Sequence, residues 1–146
     1  MRRRTLLAAT LAFPAVAQAQ TWAPDRPIRV VVPFGAGGPT DVVARLLAEP
    51  VSQSLGQPLV IENRPGAGGN LGTRLVATAP PDGHTLVLNA SPPLVINQFL
   101  YRDMGYDPFT ALAPISLLTT GPLLVVAHPR APFNTMGELI AEARRR

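Results

Sequence analysis

Apolar runs alternate with segments of helical periodicity from Pro27 onward. Residues 28–34 (IRVVVPF) are rich in β-branched side chains and almost continuously apolar, which is typical of a strand buried on both faces. Residues 58–63 (PLVIEN) and 84–90 (HTLVLNA) predict a second and a third strand. Strand, loop and helix recur in this order three times, and this repetition indicates an α/β fold built on a parallel sheet.

Apolar positions at helical spacing follow the first two strands. Pro50 lies inside the first of these segments and predicts a kink or the end of the regular helix, and Gly56 predicts its C-terminus. The second segment ends before a turn at residues 80–83 (PPDG), and residues 92–93 (PP) predict the start of a short helix. The apolar positions of the two longer helices are Val42, Val43, Leu46, Leu47, Val51 and Leu55, then Leu71, Leu75 and Val76.

The rest of the chain predicts two strands and a terminal helix. Residues 112–120 (LAPISLLTT) and 122–129 (PLLVVAHP) are strand candidates because of their apolar content. In the terminal helix, Thr135 and Glu138 fit a capping box. Its buried face is predicted to consist of Leu139, Ile140 and Ala143. No second domain is visible in this pattern.

The first nineteen residues have the layout of a secretory signal peptide. An arginine-rich start (MRRR) precedes an apolar centre at residues 6–16, and residues 17–19 (AQA) supply small side chains for cleavage. The apolar run is too short to span a membrane. We therefore expect export, removal of residues 1–19, and a folded domain formed by residues 20–146. The alternative is an N-terminal amphipathic helix that belongs to the fold.

The charge distribution argues against a nucleic-acid interface. All thirteen basic residues are arginine, and six of them lie at the two ends of the chain. Between Gln20 and Ala143, seven Arg stand against nine Asp and Glu, which gives a net charge of −2. We therefore expect no binding to nucleic acid. The chain also lacks cysteine, which excludes disulfides, thiolate nucleophiles and thiolate metal sites.

The tetrapeptide Gly-Ala-Gly-Gly occurs twice, at residues 35–38 and 66–69, each time after a predicted strand and before a predicted helix. In a parallel sheet the loops after the strands line one edge, so residues 34–41, 63–70 and 90–93 are expected to face a common crevice. Glycine lets the backbone approach a ligand, and the N–H groups that open a helix attract an anion. The loops therefore predict a site for a carboxylate or phosphate. Alternatively, the glycines only supply positive φ angles for tight turns.

Nucleotide-binding and catalytic motifs fit poorly. A Walker A motif requires lysine, which the chain lacks, and neither glycine loop continues as G-x-G-x-x-G. No serine lies in a G-x-S-x-G sequence, and neither His84 nor His128 has a second histidine at metal-ligand spacing. We therefore expect no catalytic residue, metal or cofactor, and we interpret both histidines as surface residues.

Two charged residues accompany the glycine loops. Asp41 lies in the first turn of a predicted helix, where the helix dipole favours a carboxylate. Its functional alternative is to order waters or to meet a cationic part of a ligand. Arg64 could pair with a ligand carboxylate or with nearby Glu62. The sequence leaves both choices open.

Three stretches carry a family resemblance: residues 33–41 (PFGAGGPTD), 62–70 (ENRPGAGGN) and 81–83 (PDG). They resemble the Bug-type periplasmic substrate-binding proteins, which are the receptors associated with tripartite tricarboxylate transporters. The resemblance extends from Trp22 to Arg146. It implies a two-domain, type II-like Venus-flytrap fold. The implied ligand is a small organic acid, such as a di- or tricarboxylate, held largely by backbone groups and bridging waters.

The resemblance also assigns ligand contacts and partners. The implied partners are a small carboxylate and the membrane components of a tripartite tricarboxylate transporter, and the full-length receptor is expected to be a periplasmic monomer. Pro50 and the pair Gly35-Ala36 depart from the usual family pattern. The implied contacts come from the two glycine loops and from one position after the third strand: Phe34, Gly35, Ala36, Gly37, Gly38, Thr40, Asp41, Pro65, Gly66, Ala67, Gly68, Gly69 and Ser91.

Family members are about twice as long as this chain, in line with two domains of ordinary size. We therefore expect residues 20–146 to form the first domain, truncated before the second. Two alternatives remain. The chain could be a fragment of an exported α/β enzyme whose catalytic residues lie in the missing half, or a product that binds no ligand.

Overall fold

A computed structural model describes residues 22–122 and 124–145 of the protein. The predicted signal peptide at residues 1–19 lies outside this range. The chain divides into two compact units, Met1–Ala113 and Pro114–Arg146. Within the described residues, no helix is long and apolar enough to cross a bilayer.

The first unit is built on a three-stranded parallel sheet. Its strands are β1 (Ile28–Val32), β2 (Leu59–Asn63) and β3 (Thr85–Val87), arranged in the order β2-β1-β3. The central strand is the most deeply buried, and Val31 and Val32 have no exposed surface. The predicted parallel α/β fold is therefore confirmed, with the almost continuously apolar run at its centre.

The register of the sheet explains the spacing of the repeated tetrapeptide. Each residue of β1 pairs with the residue thirty-one positions further along β2, from Ile28 with Leu59 to Val32 with Asn63. The two Gly-Ala-Gly-Gly sequences are separated by the same thirty-one positions. Both therefore leave the same edge of the sheet at the same level.

Two helices follow the first two strands. Helix α1 (Pro39–Leu55) continues through Pro50 and ends at Gly56, whose φ of 70° allows the left-handed conformation that closes the helix. Helix α2 (Asn70–Ala77) follows a 3-10 turn at Ala67–Gly69. After β3, a π-helical turn at Pro92–Ile96 and a 3-10 turn at Asn97–Phe99 replace the predicted short helix.

The second unit differs from the expectation in two ways. Its described residues contain helix α3 (Met136–Arg145) but no strand, so the strands predicted at 112–120 and 122–129 are wrong. Apolar content alone does not form a strand, because a strand needs a hydrogen-bonded neighbour, and Ile115 and Leu117 remain 79% and 80% exposed.

The predicted buried face of α3 is also wrong. No residue of the helix is buried, and Ile140 and Ala143 are exposed. Thr135 and Glu138 cap the helix as predicted, but the Glu138 carboxylate binds the residue before Thr135 and not Thr135 itself. The Thr135 hydroxyl accepts the Glu138 N–H at 3.3 Å, whereas the Glu138 carboxylate accepts the N–H of Asn134 at 2.6 Å.

Candidate functional site

Segments that follow all three strands meet at Gly69. A Cβ atom placed there would lie 2.6 Å from Cγ of Pro93 and 3.2 Å from Cζ of Phe34. Phe34 belongs to the first glycine loop (residues 34–38), Gly69 to the second glycine loop (residues 64–69), and Pro93 to the segment after β3. The common edge predicted from the sequence is therefore present, and only a residue without a side chain fits at its centre.

The first glycine loop is held by the buried carboxylate of Asp41, which is 2% exposed. Its Oδ2 accepts the N–H of Gly37 at 2.8 Å and Nε of Arg45 at 2.9 Å. Its Oδ1 accepts Nδ2 of Asn63, at the end of β2, at 2.9 Å. Asp41 thus fixes the loop and joins it to the neighbouring strand.

These contacts keep Asp41 ionised. The hydrogen bond from Arg45 contributes most to lowering the pKa of Asp41 below its ordinary value, followed by the bonds from Gly37 and Asn63. Because Arg45 is bound to Asp41 and, at 3.1 Å, to Oδ1 of Asn63, its charge is used within this cluster. The charges of Asp41 and Arg45 therefore neutralise each other within the cluster.

The second glycine loop has an unusual backbone. Gly66, Ala67, Gly68 and Gly69 have φ angles of 140°, 48°, 63° and 95°. Ala67 is the only residue other than glycine with a positive φ among the described residues. Successive backbone N–H groups in a turn can form a concave anion-binding surface. Strained backbone of this kind is concentrated at binding sites.

A layer of buried and half-buried polar side chains supports the second loop from beneath. Nδ2 of Asn97 donates to the Gly68 carbonyl at 3.1 Å and to Oδ1 of Asn70 at 2.7 Å. The Tyr106 hydroxyl lies 2.8 Å from the Pro93 carbonyl, and burial raises the pKa of this phenol, so it remains a donor. The Thr73 hydroxyl donates to the Gly69 carbonyl at 2.8 Å. The carbonyls of Gly68 and Gly69 are therefore occupied by the protein itself.

Several loop amides are left as donors. The N–H groups of Gly35, Ala36, Ala67 and Gly68 reach no acceptor within residues 22–122 and 124–145. A trans peptide places its N–H opposite its C=O. Because the Gly66 carbonyl accepts the N–H of Gly69 at 2.9 Å, the N–H of Ala67 faces the other way. These amides can bind an anion without a cationic side chain.

The residues predicted to contact ligand differ in accessibility. Asp41 and Gly69 are buried and act from beneath the surface. Phe34, Gly38 and Thr40 are half-buried. In the part of the chain that the structure describes, no hydrogen bond joins Ser91 to either glycine loop. The exposed members of the predicted set are Gly35, Ala36, Gly37, Pro65, Gly66, Ala67, Gly68 and Ser91.

Other charged groups of the sheet lie in ion pairs. Arg64 pairs with Glu62, which also binds Arg29, and the Arg29 hydrogen bond contributes most to lowering the pKa of Glu62. His84 precedes β3, at the sheet edge opposite the glycine loops, and lies 3.2 Å from a carboxylate oxygen of Asp25. Among the described residues, no cluster of His, Cys, Asp or Glu could hold a metal ion.

Neither Asn63 nor Asn97 is predicted from the sequence to belong to this site, although each binds a carbonyl of a glycine loop. Asn97 lies twenty-nine residues from the carbonyl that it binds, so no spacing rule connects them. The available signal for Asn63 was its position directly after a buried strand and before a glycine loop.

Comparison with known proteins identifies the family. The sequence model of the tripartite tricarboxylate transporter family receptor, TctC, matches residues 43–146. The chain therefore belongs to this family of receptors. BugT of Bordetella pertussis strain Tohama I is 41% identical over 139 residues, which are 94% of this chain and 42% of BugT.

Two solved structures have a similar fold. MatC from Rhodopseudomonas palustris with bound malate has a TM-score of 0.75 and 40% identity, over 83% of this chain and 41% of MatC. Rpa4515 from R. palustris with adipate has a TM-score of 0.62 and 37% identity, over 84% of this chain and 41% of that protein. The chain spans about two fifths of the length of these relatives.

Proposed function

We propose that the chain is the ligand-binding first domain of a periplasmic receptor that delivers a small carboxylate to a tripartite tricarboxylate-type transporter. The observation that carries this proposal is the set of unpaired backbone amides on two glycine loops at one edge of the sheet. Amides oriented in this way attract an anion, and no catalytic group accompanies them among residues 22–122 and 124–145. The role is therefore binding without turnover.

Two relatives support the class of ligand. MatC holds malate and Rpa4515 holds adipate, and both share the fold of this chain. Malate and adipate are dicarboxylates that differ in length. A pair of amide-lined loops suits one end of such a molecule, because backbone donors recognise the carboxylate and not the chain attached to it.

The predicted contact residues take distinct roles in this proposal. The exposed amides of Gly35, Ala36, Ala67 and Gly68 contact the carboxylate. Phe34 packs against Gly69 and closes the apolar side of the site. Asp41 orients the first loop, and Gly37 is its partner within the protein. Gly38, Thr40, Pro65, Gly66 and Ser91 complete the rim.

The proposal includes export. Residues 1–19 act as a signal peptide, and the processed chain begins near Gln20. A second domain closes over the ligand in the complete receptor, which is a monomer. N-terminal sequencing of periplasmic material should find the start near Gln20, and recovery of intact Met1 from the cytoplasm would contradict export.

Titration with dicarboxylates tests the binding function directly. The ¹⁵N-labelled chain is titrated with malate and with adipate while its amide resonances are followed by NMR. We expect the largest shifts at Gly35, Ala36, Ala67 and Gly68, with millimolar affinity because a single domain encloses only part of a ligand. The amide of Gly121, in the second unit, is the internal control. Shifts that avoid both glycine loops would contradict the proposed site.

A further inference from the structure

Two asparagine side chains hold one carbonyl in each glycine loop. Nδ2 of Asn63 donates to the Phe34 carbonyl at 3.2 Å, and Nδ2 of Asn97 donates to the Gly68 carbonyl at 3.1 Å. Neither asparagine belongs to the loop whose carbonyl it binds. Asn63 ends β2, and Asn97 begins the 3-10 turn that follows β3. Each amide therefore joins two neighbouring strand–helix units at the proposed site.

The orientation of Asn97 is fixed. Its side-chain amide donates both to the Gly68 carbonyl and to Oδ1 of Asn70, at 2.7 Å, and the residue is 3% exposed. If the amide were rotated by half a turn, its oxygen would face two other oxygens. The Gly68 carbonyl is consequently held towards the buried polar layer and away from solvent.

Asn63 is fixed in a similar way. Its Nδ2 donates to Oδ1 of Asp41 at 2.9 Å, and its Oδ1 accepts Nη2 of Arg45 at 3.1 Å. The Phe34 carbonyl is therefore held towards this cluster. In the trans peptide that follows, the N–H of Gly35 lies on the opposite side, where no protein acceptor among the described residues reaches it.

A carboxylate site needs donors, and it also needs carbonyl oxygens to be turned away. A carbonyl that faces the crevice would repel an anion and would accept a hydrogen bond from a neutral amide ligand. We infer that Asn63 and Asn97 are positioning residues that set the charge preference of the site by keeping the Phe34 and Gly68 carbonyls out of it. This inference rests on the proposed carboxylate-binding function.

The test compares a dianion with a neutral molecule of the same length. Adipate and adipamide are titrated separately into the ¹⁵N,¹³C-labelled chain, and the ratio of their dissociation constants is measured for wild type and for Asn97→Leu. We expect wild type to bind adipate more tightly than adipamide. In Asn97→Leu the ratio of the two dissociation constants should change about tenfold in favour of adipamide, which is the size expected for one charged hydrogen bond. The carbonyl carbon resonance of Gly68 should move in the free variant.

Gln98→Leu is the matched control. Gln98 is the next residue, and its amide also donates to a backbone carbonyl, that of Val95 at 3.1 Å, outside both glycine loops. It should keep the wild-type ratio. If Asn97→Leu does not fold, Asn97→Ser replaces it, because the shorter side chain cannot span the distance to Gly68.

The outcomes separate the two ideas. A folded Asn97 variant that keeps the wild-type ratio and an unchanged Gly68 carbonyl resonance overturns the positioning role and leaves the proposed function standing. A wild-type chain that binds neither molecule, or prefers adipamide, overturns the proposed function itself. Loss of the preference for adipate in Asn97→Leu but not in Gln98→Leu supports the inference. A general loss of stability would instead lower the affinities for adipate and adipamide equally.

Discussion

Nδ2 of Asn63 and Oδ1 of Asp41 lie 2.9 Å apart, although twenty-two residues separate them in the chain. This bond joins the end of β2 to the first turn of α1 and so fixes the two glycine loops relative to one another. A preorganised set of donors loses less entropy when a ligand binds than a mobile one does. The proposed site therefore depends on a contact that touches no ligand.

The first prediction concerns the charge of Asp41. Asp41→Asn should lower the free energy of unfolding at neutral pH, because an amide cannot accept all the hydrogen bonds that the carboxylate receives from Gly37, Arg45 and Asn63. The folded-state pKa of Asp41 is lowered, so its stabilisation is fully present above the ordinary aspartate pKa of about 3.9 and is lost as the pH falls through the folded-state value. Urea unfolding from neutral to acidic pH measures this difference.

The difference in stability between wild type and Asp41→Asn should therefore shrink on acidification below about pH 4. Asp103→Asn is the matched control, because Asp103 is exposed and accepts one N–H, from Gly105 at 2.7 Å, which an amide oxygen can also accept. This variant should differ little from wild type at every pH. A difference for Asp41→Asn that stays constant down to the most acidic sample would show that the carboxylate charge is not what stabilises the loop.

The second prediction uses bulk at Gly35. A Cβ atom at Gly35 would meet nothing within 4 Å, and its φ angle lies outside the left-handed region. Gly35→Val should therefore change stability by no more than about 0.5 kcal/mol while it blocks the approach of a carboxylate. The measurement is the malate-induced shift of the Ala36 and Ala67 amides. Gly121→Val, at a glycine with the same freedom in the second unit, should leave those shifts intact.

The third prediction separates backbone strain from collision. Gly56 and Gly69 both have positive φ, at 70° and 95°, but only a Cβ at Gly69 meets other atoms, at 2.6 Å from Pro93. We expect Gly56→Ala to cost about 1 kcal/mol and Gly69→Ala about 3 kcal/mol, because the second adds overpacking to strain. Denaturant unfolding measures both. Equal costs would mean that the three loops do not meet at Gly69.

The fourth prediction concerns the segment before the sheet. Nε1 of Trp22, the only tryptophan, donates to the Asp82 carbonyl at 3.0 Å, and a Cβ at Gly83 would lie 2.7 Å from its ring. Gly83→Ala should displace the ring into water and shift its fluorescence to longer wavelength. Gly56→Ala, which has a similar φ and open space, is the control. Unchanged emission from a folded Gly83→Ala would contradict this packing.

Patterns within one element predicted most of the first unit. The β-branched run of β1 and the turn at residues 80–83 are local signals, and the strands of the sheet lie where these signals predict them. The acidic residue in the first turn of α1 followed from the helix dipole. These features depend only on residues close together in the chain, so the sequence was sufficient to predict them.

Individual side-chain contacts between elements were beyond prediction. The apolar residues of 112–120 indicated a tendency to be buried. Whether they form a strand depends on a neighbouring strand, which the sequence pattern does not identify. The role of Asn97 depends on its distance from Gly68, which exists only after three segments have packed together. Asparagine is common in loops for local reasons, so its presence alone was not informative.

The central position of β1 also affects how the chain acquires its structure. Both partners of β1 come later, thirty-one residues on for β2 and fifty-six for β3, as in the pairs of Arg29 with Val60 and with Thr85. Such distant pairings slow folding, because long segments must be ordered before the first contact is made. At about 5–20 residues per second, synthesis alone leaves the most apolar strand unpaired for seconds. During that interval the unpaired edges and apolar side chains of β1 are open to association with other chains.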